Sequence, residues 1–195
     1  MRHDGAVPTH VALLRGINVG GRNRVAMPAL RETVIGLGHT DVSTYIASGN
    51  VLFTPRRKAA SSRLAAELEH AIDDAFGIRP RVAVLSRADL ARAVQSNPYP
   101  EEANPKLVHA IVFGDPPDAE MRASVAEALA AARAKGSPDE AAFVDDVLYL
   151  HTPAGLGRSE LAAQLGKARR PLSSKGSGTA RNWSTVTKLL ELCGD

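Results

Sequence analysis

The chain has 195 residues, 44% hydrophobic and 23% charged, with a formal net charge of +3. This is the composition of a globular protein able to bury a core, as one large domain or two small ones. It excludes a helical membrane span, because no apolar run approaches about 18 residues, and an internal disulfide, because Cys193 is the single cysteine.

The opening Met1-Arg2-His3-Asp4-Gly5 has no apolar leader core, so a cytoplasmic setting is the default expectation. His10-Val11-Ala12-Leu13-Leu14 reads as a buried strand. Pro28 opens a helix that runs to Leu37 and stops at Gly38. Val42–Ile46 and Asn50–Thr54 read as strands, joined by a tight turn at Ala47-Ser48-Gly49 and ended by Pro55. Leu64, Leu68, Ile72 and Phe76 recur every four residues and predict a helix closed by Gly77. Arg81–Leu85 follows as a strand. The segment 1–86 therefore has the order strand, helix, strand, strand, helix, strand, which is the ferredoxin-like order of an α+β fold.

The segment 87–195 nearly repeats this order. Ser86 can cap a short helix, Ala88 to Gln95, which Asn97-Pro98 ends. Val108–Phe113 is a strand stopped by Gly114-Asp115-Pro116-Pro117. Ala119–Ala134 is an alanine-rich helix. Glu140–Val144 and Val147–Leu150 flank Asp145-Asp146 as a hairpin, and Glu160–Ala168 is a helix. No closing strand is legible in the basic, glycine-serine-rich stretch 169–181. A last helix covers Asn182 to Leu192 and packs near the first half. The expected organisation is a ferredoxin-like subdomain over 1–86 and a second, similar α+β subdomain over 87–195.

Charge is spread unevenly. Residues 1–60 carry eight Lys/Arg and three Asp/Glu, a net of +5. Residues 61–153 carry a net of −6, and residues 154–195 a net of +4. The two basic ends hold three polar stretches, Arg15-Gly16-Ile17-Asn18-Val19-Gly20-Gly21, Ser48-Gly49-Asn50 and Thr179-Ala180-Arg181-Asn182-Trp183. If they meet, they form a positive site for an anionic partner.

Each stretch has its own chemistry. Gly16, Gly20 and Gly21 let the backbone bend and approach a ligand closely. Arg15 offers a planar fork for phosphate or carboxylate, with Arg22 and Arg24 adding charge. Ser48 and Asn50 offer a hydroxyl and an amide, although such residues also bond their own turns. In a ferredoxin-like order the first and third strands are antiparallel central neighbours, so Arg15-Gly16 should stand beside Ser48-Gly49-Asn50. The third stretch opens the last helix, with Thr179 or Asn182 as its cap, and Lys175 and Arg181 would add charge to the helix N-terminus.

Other chemistries are absent from the sequence. Gly16 and Gly21 have P-loop spacing, but Arg22-Asn23 replace the required Lys-Ser/Thr, and the dinucleotide glycine pattern is missing. The six histidines show no metal spacing, and no nucleophile elbow occurs. The expected central strands offer only Phe53 for base stacking, so no motif supports nucleic-acid recognition. Cys193 and Trp183 fall on the apolar side of the last helix and read as core. The sequence leaves any cofactor unknown.

The runs Val11–Gly21, Tyr45–Val51, Asn97-Pro98-Tyr99 and Thr179–Val186 resemble an uncharacterised bacterial family, domain of unknown function 1697, over nearly the whole chain. Ala180 stands where that family often has a second hydroxyl residue. The resemblance implies an α+β fold of ferredoxin-like character and no established activity. The first expectation is a pocket for a small anionic, phosphorylated or nucleotide-like ligand. It would be lined by Arg15, Gly16, Asn18, Gly20, Gly21, Ser48, Gly49, Asn50, Lys175, Thr179, Arg181 and Asn182. The alternatives are a nucleic-acid-associated protein that binds phosphates through its basic ends, and a non-catalytic interaction module. Whether the protein is an enzyme stays open.

Overall fold

A computed structural model describes residues 7–167 and 178–194. The chain forms two units, Met1–Arg92 with Thr187–Asp195, and Ala93–Val186. Among the described residues the fold is α+β, with two four-stranded antiparallel sheets and six α-helices.

The first unit contains β1 (His10–Leu14), α1 (Met27–Gly36), β2 (Thr40–Tyr45), β3 (Asn50–Thr54), α2 (Ser61–Phe76) and β4 (Val82–Ser86). Its sheet order is β2-β3-β1-β4, the ferredoxin-like arrangement. β1 is apolar and buried from Val11 to Leu14 because both of its faces are covered. Ala12 and Leu14 join Val51, Phe53, Val82 and Val84 in a core with the helix residues Leu30, Val34, Leu64, Leu68 and Ile72. On the other face Val11, Leu13, Leu52 and Ala83 are buried as well. β2 lies at the sheet edge and is mostly polar, with Thr40, Asp41, Ser43 and Thr44 among its six residues. α2 turns its four-residue stripe inward and ends at Gly77, whose φ of 65° is the left-handed cap that glycine adopts without strain. Each buried leucine of that stripe contributes roughly 1.5–3 kcal/mol.

Ser86 opens α3 (Arg87–Gln95) through a capping box. Its hydroxyl accepts from Asp89 N at 3.2 Å, and the Asp89 carboxylate accepts from Ser86 N at 3.1 Å. Arg87 Nε donates to Gly194 O at 2.6 Å, which ties the C-terminal residues into this unit.

The second unit contains β5 (Val108–Val112), α4 (Ala119–Ala134), β6 (Glu140–Val144), β7 (Val147–His151), α5 (Glu160–Lys167) and β8 (Thr179–Asn182). The last helix is α6 (Trp183–Leu192). The sheet order β6-β7-β5-β8 repeats that of the first unit. Ile111, Leu148 and Leu150 pack against Val125, Ala128, Ala132, Leu161 and Leu165. The Asp118 side chain caps α4 by accepting from Met121 N at 2.8 Å, a bond typically worth about 1 kcal/mol. Asp139 is buried, and its Oδ2 accepts from Ser159 Oγ at 2.8 Å and Leu161 N at 3.0 Å, which fixes the start of α5.

One expectation is corrected here. Thr179, Ala180 and Arg181 do not open the last helix. They form β8 with Asn182, the closing strand that the sequence had not disclosed, paired with β5 in the register Val112↔Thr179 to His109↔Asn182. β8 is four residues long, has one neighbouring strand and carries no apolar run. Its strand character comes from the pairing partner rather than from local pattern.

Candidate functional site

The first two polar stretches come together in the first unit. β1 and β3 pair antiparallel with Leu13 opposite Asn50, and Leu14 N donates to Gly49 O at 2.7 Å. The end of β1 therefore lies beside the β2–β3 turn, as the strand order predicts. Arg15 N donates to Arg81 O at 2.9 Å on the other side.

The loop 15–25 is a small hairpin. Val19 and Arg22 form an isolated bridge, with Arg22 N donating to Val19 O at 3.1 Å. Gly20 and Gly21, at φ 58° and 76°, make the two-residue turn between them. Asn18 wires this loop. Its Oδ1 accepts from Val25 N at 2.9 Å, and its Nδ2 donates to Val25 O at 2.9 Å and Ala47 O at 3.0 Å. The third of these bonds crosses to the neighbouring turn. Asn23 Nδ2 donates to Gly16 O at 3.0 Å and closes the base of the loop.

Asn50 does the same work in the second loop. It is fully buried, and its Nδ2 donates to Tyr45 O at 3.0 Å and Ser48 Oγ at 3.1 Å. Gly49 is packed so closely that a Cβ there would stand 2.8 Å from Leu14 Cβ and 3.0 Å from Ile17 Cδ1. Asn18 and Gly49 thus hold the two loops against each other, and Asn50 fixes the second loop from within. Gly16, Gly20, Gly21 and Ser48 stay exposed.

The charge of this region is one-sided. Residues 5–31 contain Arg15, Arg22, Arg24 and Arg31 and no Asp or Glu. Arg15 is half-buried, and burial lowers its pKa from the ordinary arginine value. Arg22 and Arg24 are exposed and form no ion pair among the described residues. Four other arginines of this unit are held by carboxylates, Arg56 by Glu67, Arg79 by Asp73, Arg81 by Glu69 and Arg92 by Asp89. Arg22 and Arg24 lie in the acid-free segment 5–31, whereas each of these four has a carboxylate within reach.

The third stretch belongs to the second unit. Thr179 is buried in β8, and Arg181 stands opposite Ala110 with its Nη1 donating to Ala180 O at 2.8 Å. Burial pushes the Arg181 pKa down to about 10, still well above neutrality. Asn182 does cap α6, since its Oδ1 accepts from Thr185 N at 2.9 Å. The first N–H of that helix is also used, by Trp183 N donating to Pro105 O at 3.0 Å. Lys175 lies outside the described residues.

A further polar cluster in the second unit escaped the sequence reading. His151 Nε2 lies 2.8 Å from Glu102 Oε2, its Nδ1 lies 3.6 Å from Glu140 Oε2, and the Tyr99 ring is 5.3 Å away. Burial, with Glu140 adding to it, raises the Tyr99 hydroxyl to about 12. This cluster ties the segment after α3 to β7. Among the described residues no group of three or more His, Cys, Asp or Glu is placed to hold a metal ion. No helix there is long and apolar enough to cross a membrane. Cys193 is buried, and burial raises its pKa, which favours the unreactive thiol.

Comparison with known proteins agrees with this architecture. A conserved bacterial protein from Streptococcus pneumoniae, SP0830, superposes with a TM-score of 0.72, covering 97% of this chain and 100% of that one at 22% identity. At that identity the likeness shows the fold. No curated protein matches the chain. The family model of a protein of unknown function, DUF1697, matches residues 7–149, which include both joined loops and end before β8. With nearly three quarters of its length matched, the chain belongs to the DUF1697 family.

Proposed function

We propose that the joined loops of the first unit bind a small phosphorylated anion. The observation that carries this reading is the pair Arg22 and Arg24, exposed and without an ion-pair partner among the described residues, on a loop with no acidic residue. An arginine already held by a carboxylate must lose that partner before it can take a phosphate. These two need not. Their planar forks suit bidentate contact with phosphate oxygens. Arg15 adds positive potential at the base of the loop, and Gly20-Gly21 leave the backbone open to close approach. Asn18 and Asn50 would then serve the site by holding the loops in shape before the ligand arrives, which lowers the ordering cost of binding.

No catalytic step is assigned to this site. Recognition of RNA bases by the sheet is not favoured, since Phe53 is fully buried. The test is thermal denaturation with and without pyrophosphate. Pyrophosphate should raise the Tm of the wild-type chain. The Arg22→Ala, Arg24→Ala variant should have the wild-type Tm alone and lose the shift. A shift of full size in that variant would move the anion site elsewhere.

A further inference from the structure

Two exposed aliphatic side chains stand on the same joined loops as Arg22 and Arg24. Val19 is 65% exposed and flanks the Gly20-Gly21 turn, and Ile46 is 51% exposed in the neighbouring turn. Ile46 has a φ of 49°, in the left-handed region. A β-branched residue rarely adopts that conformation, and one that does is held there by its surroundings. The holding groups are identifiable. The carbonyl before Ile46, that of Tyr45, accepts from Asn50 Nδ2 at 3.0 Å. The carbonyl after it, that of Ala47, accepts from Asn18 Nδ2 at 3.0 Å. Glycine or asparagine would meet the backbone requirement at this position with less strain. The chain instead places an apolar side chain there and leaves it in water, beside a cationic loop.

Resting on the anion-binding reading above, we infer that the ligand is a nucleoside phosphate, with its phosphate on Arg22 and Arg24 and the flat face of its base against Val19 and Ile46. A nucleobase has an apolar face that packs on aliphatic as well as aromatic side chains. Inorganic phosphate has none and would leave both residues exposed. An anionic membrane is the other surface that pairs cationic with apolar groups. Two short side chains bring far fewer carbons than a single myristoyl chain, which itself binds only marginally. The nucleoside phosphate can be a free nucleotide or part of a single strand.

Calorimetric titration of the full chain at ~50 mM salt, where phosphate contacts are strong, tests this. The probes are pyrophosphate, ADP and an oligothymidylate of about 12 nucleotides. ADP and pyrophosphate share the diphosphate, so their difference reads the contribution of the nucleoside. ADP should bind at least about tenfold more tightly than pyrophosphate, a difference of about 1.4 kcal/mol. Val19→Ser combined with Ile46→Gly should bring ADP to the pyrophosphate level and leave pyrophosphate binding unchanged. Glycine suits the backbone at 46, so the Tm of this variant should not fall through that position. An oligothymidylate tighter than ADP assigns a strand, and a weaker one assigns the free nucleotide. Equal binding of ADP and pyrophosphate to the wild type would overturn the inference and leave the anion site standing. So would a tenfold preference retained in the variant, or phosphatidylserine vesicles that bind where ADP does not. If pyrophosphate also fails to bind, the anion-binding reading falls with it.

Discussion

The two units repeat one topology and diverge in their loops. In the first unit the connection from the opening strand to its helix spans 15–26 and carries Arg15, Arg22 and Arg24 with no acid. In the second unit the equivalent connection, 113–118, is half as long and carries Asp115 and Asp118 with no base. The hairpin turns differ in the same way. Ile46 to Gly49 is wired by Asn18 and Asn50, whereas Asp145-Asp146 is a two-residue turn. Arg122 secures that turn by donating to Asp145 O at 2.7 Å and Asp146 Oδ1 at 3.2 Å. The sheet and helices explain why both units fold. They do not explain why one is cationic and open at these loops while the other is acidic and closed. The second unit thus serves as an internal control for the site assigned to the first.

The largest effects should come from the glycines that let each sheet close. Gly49→Ala combines a φ of 83° with contacts of 2.8 Å to Leu14 and 3.0 Å to Ile17. Strain and overpacking together should cost about 2–5 kcal/mol. Gly178, just before β8, has no positive φ, but a Cβ there would overlap Ile111 Cγ2 and lie 3.0 Å from Val112 O. Gly178→Ala should cost about 1–3 kcal/mol. Urea denaturation measures both. A neutral Gly49→Ala would show that the two loops are not held together as described.

Bracing should be unequal as well. Asn18→Ala removes three hydrogen bonds and leaves buried Val25 without its side-chain partner, at a cost of about 1–3 kcal/mol. Arg122→Ala loses a partly exposed ion pair with Asp146, a backbone contact and the stacking of its guanidinium 4.5 Å from the Phe143 ring centre. Its cost should be nearer 1 kcal/mol. Equal costs, again by urea denaturation, would remove the distinction between a braced loop and a simple turn.

Much of this was legible in the sequence. The alanine-rich stretch located α4, Gly77 located the end of α2, and the βαββαβ order placed Arg15 beside Gly49. The remainder depends on contacts that no local pattern records. β8 is a strand only because β5 is there to pair with it. Asn50 looks like an exposed turn residue until the β1–β3 pairing buries it. Arg22 and Arg24 resemble Arg56, Arg79, Arg81 and Arg92 until the fold places a carboxylate beside each of those four and none beside these two.

The smallest effect is shared by both units. Burial lowers the pKa of His10 and His39 in the first unit and of His109 in the second below the ordinary 6.5. The unfolded chain then takes up protons first as pH falls through about 6.5. The stability that these neutral rings provide is present above that pH and declines as pH drops toward their folded values. His39 carries a further cost. Its Nδ1 accepts from Arg56 N at 3.2 Å, which puts the proton on Nε2, a buried atom with no partner among the described residues. His39→Phe should therefore flatten the fall in Tm between about pH 6.5 and 5. An unchanged slope would place the titration elsewhere.

The central claim is that the anion meets the loops of the first unit and not their counterparts in the second. Backbone amide NMR of the full chain during titration with pyrophosphate tests it directly. The predicted result is chemical-shift change concentrated in residues 15–24 and 46–49, with 113–118 and 145–146 unmoved. Shifts concentrated in the second set, or none in the first at saturating pyrophosphate, would contradict the account.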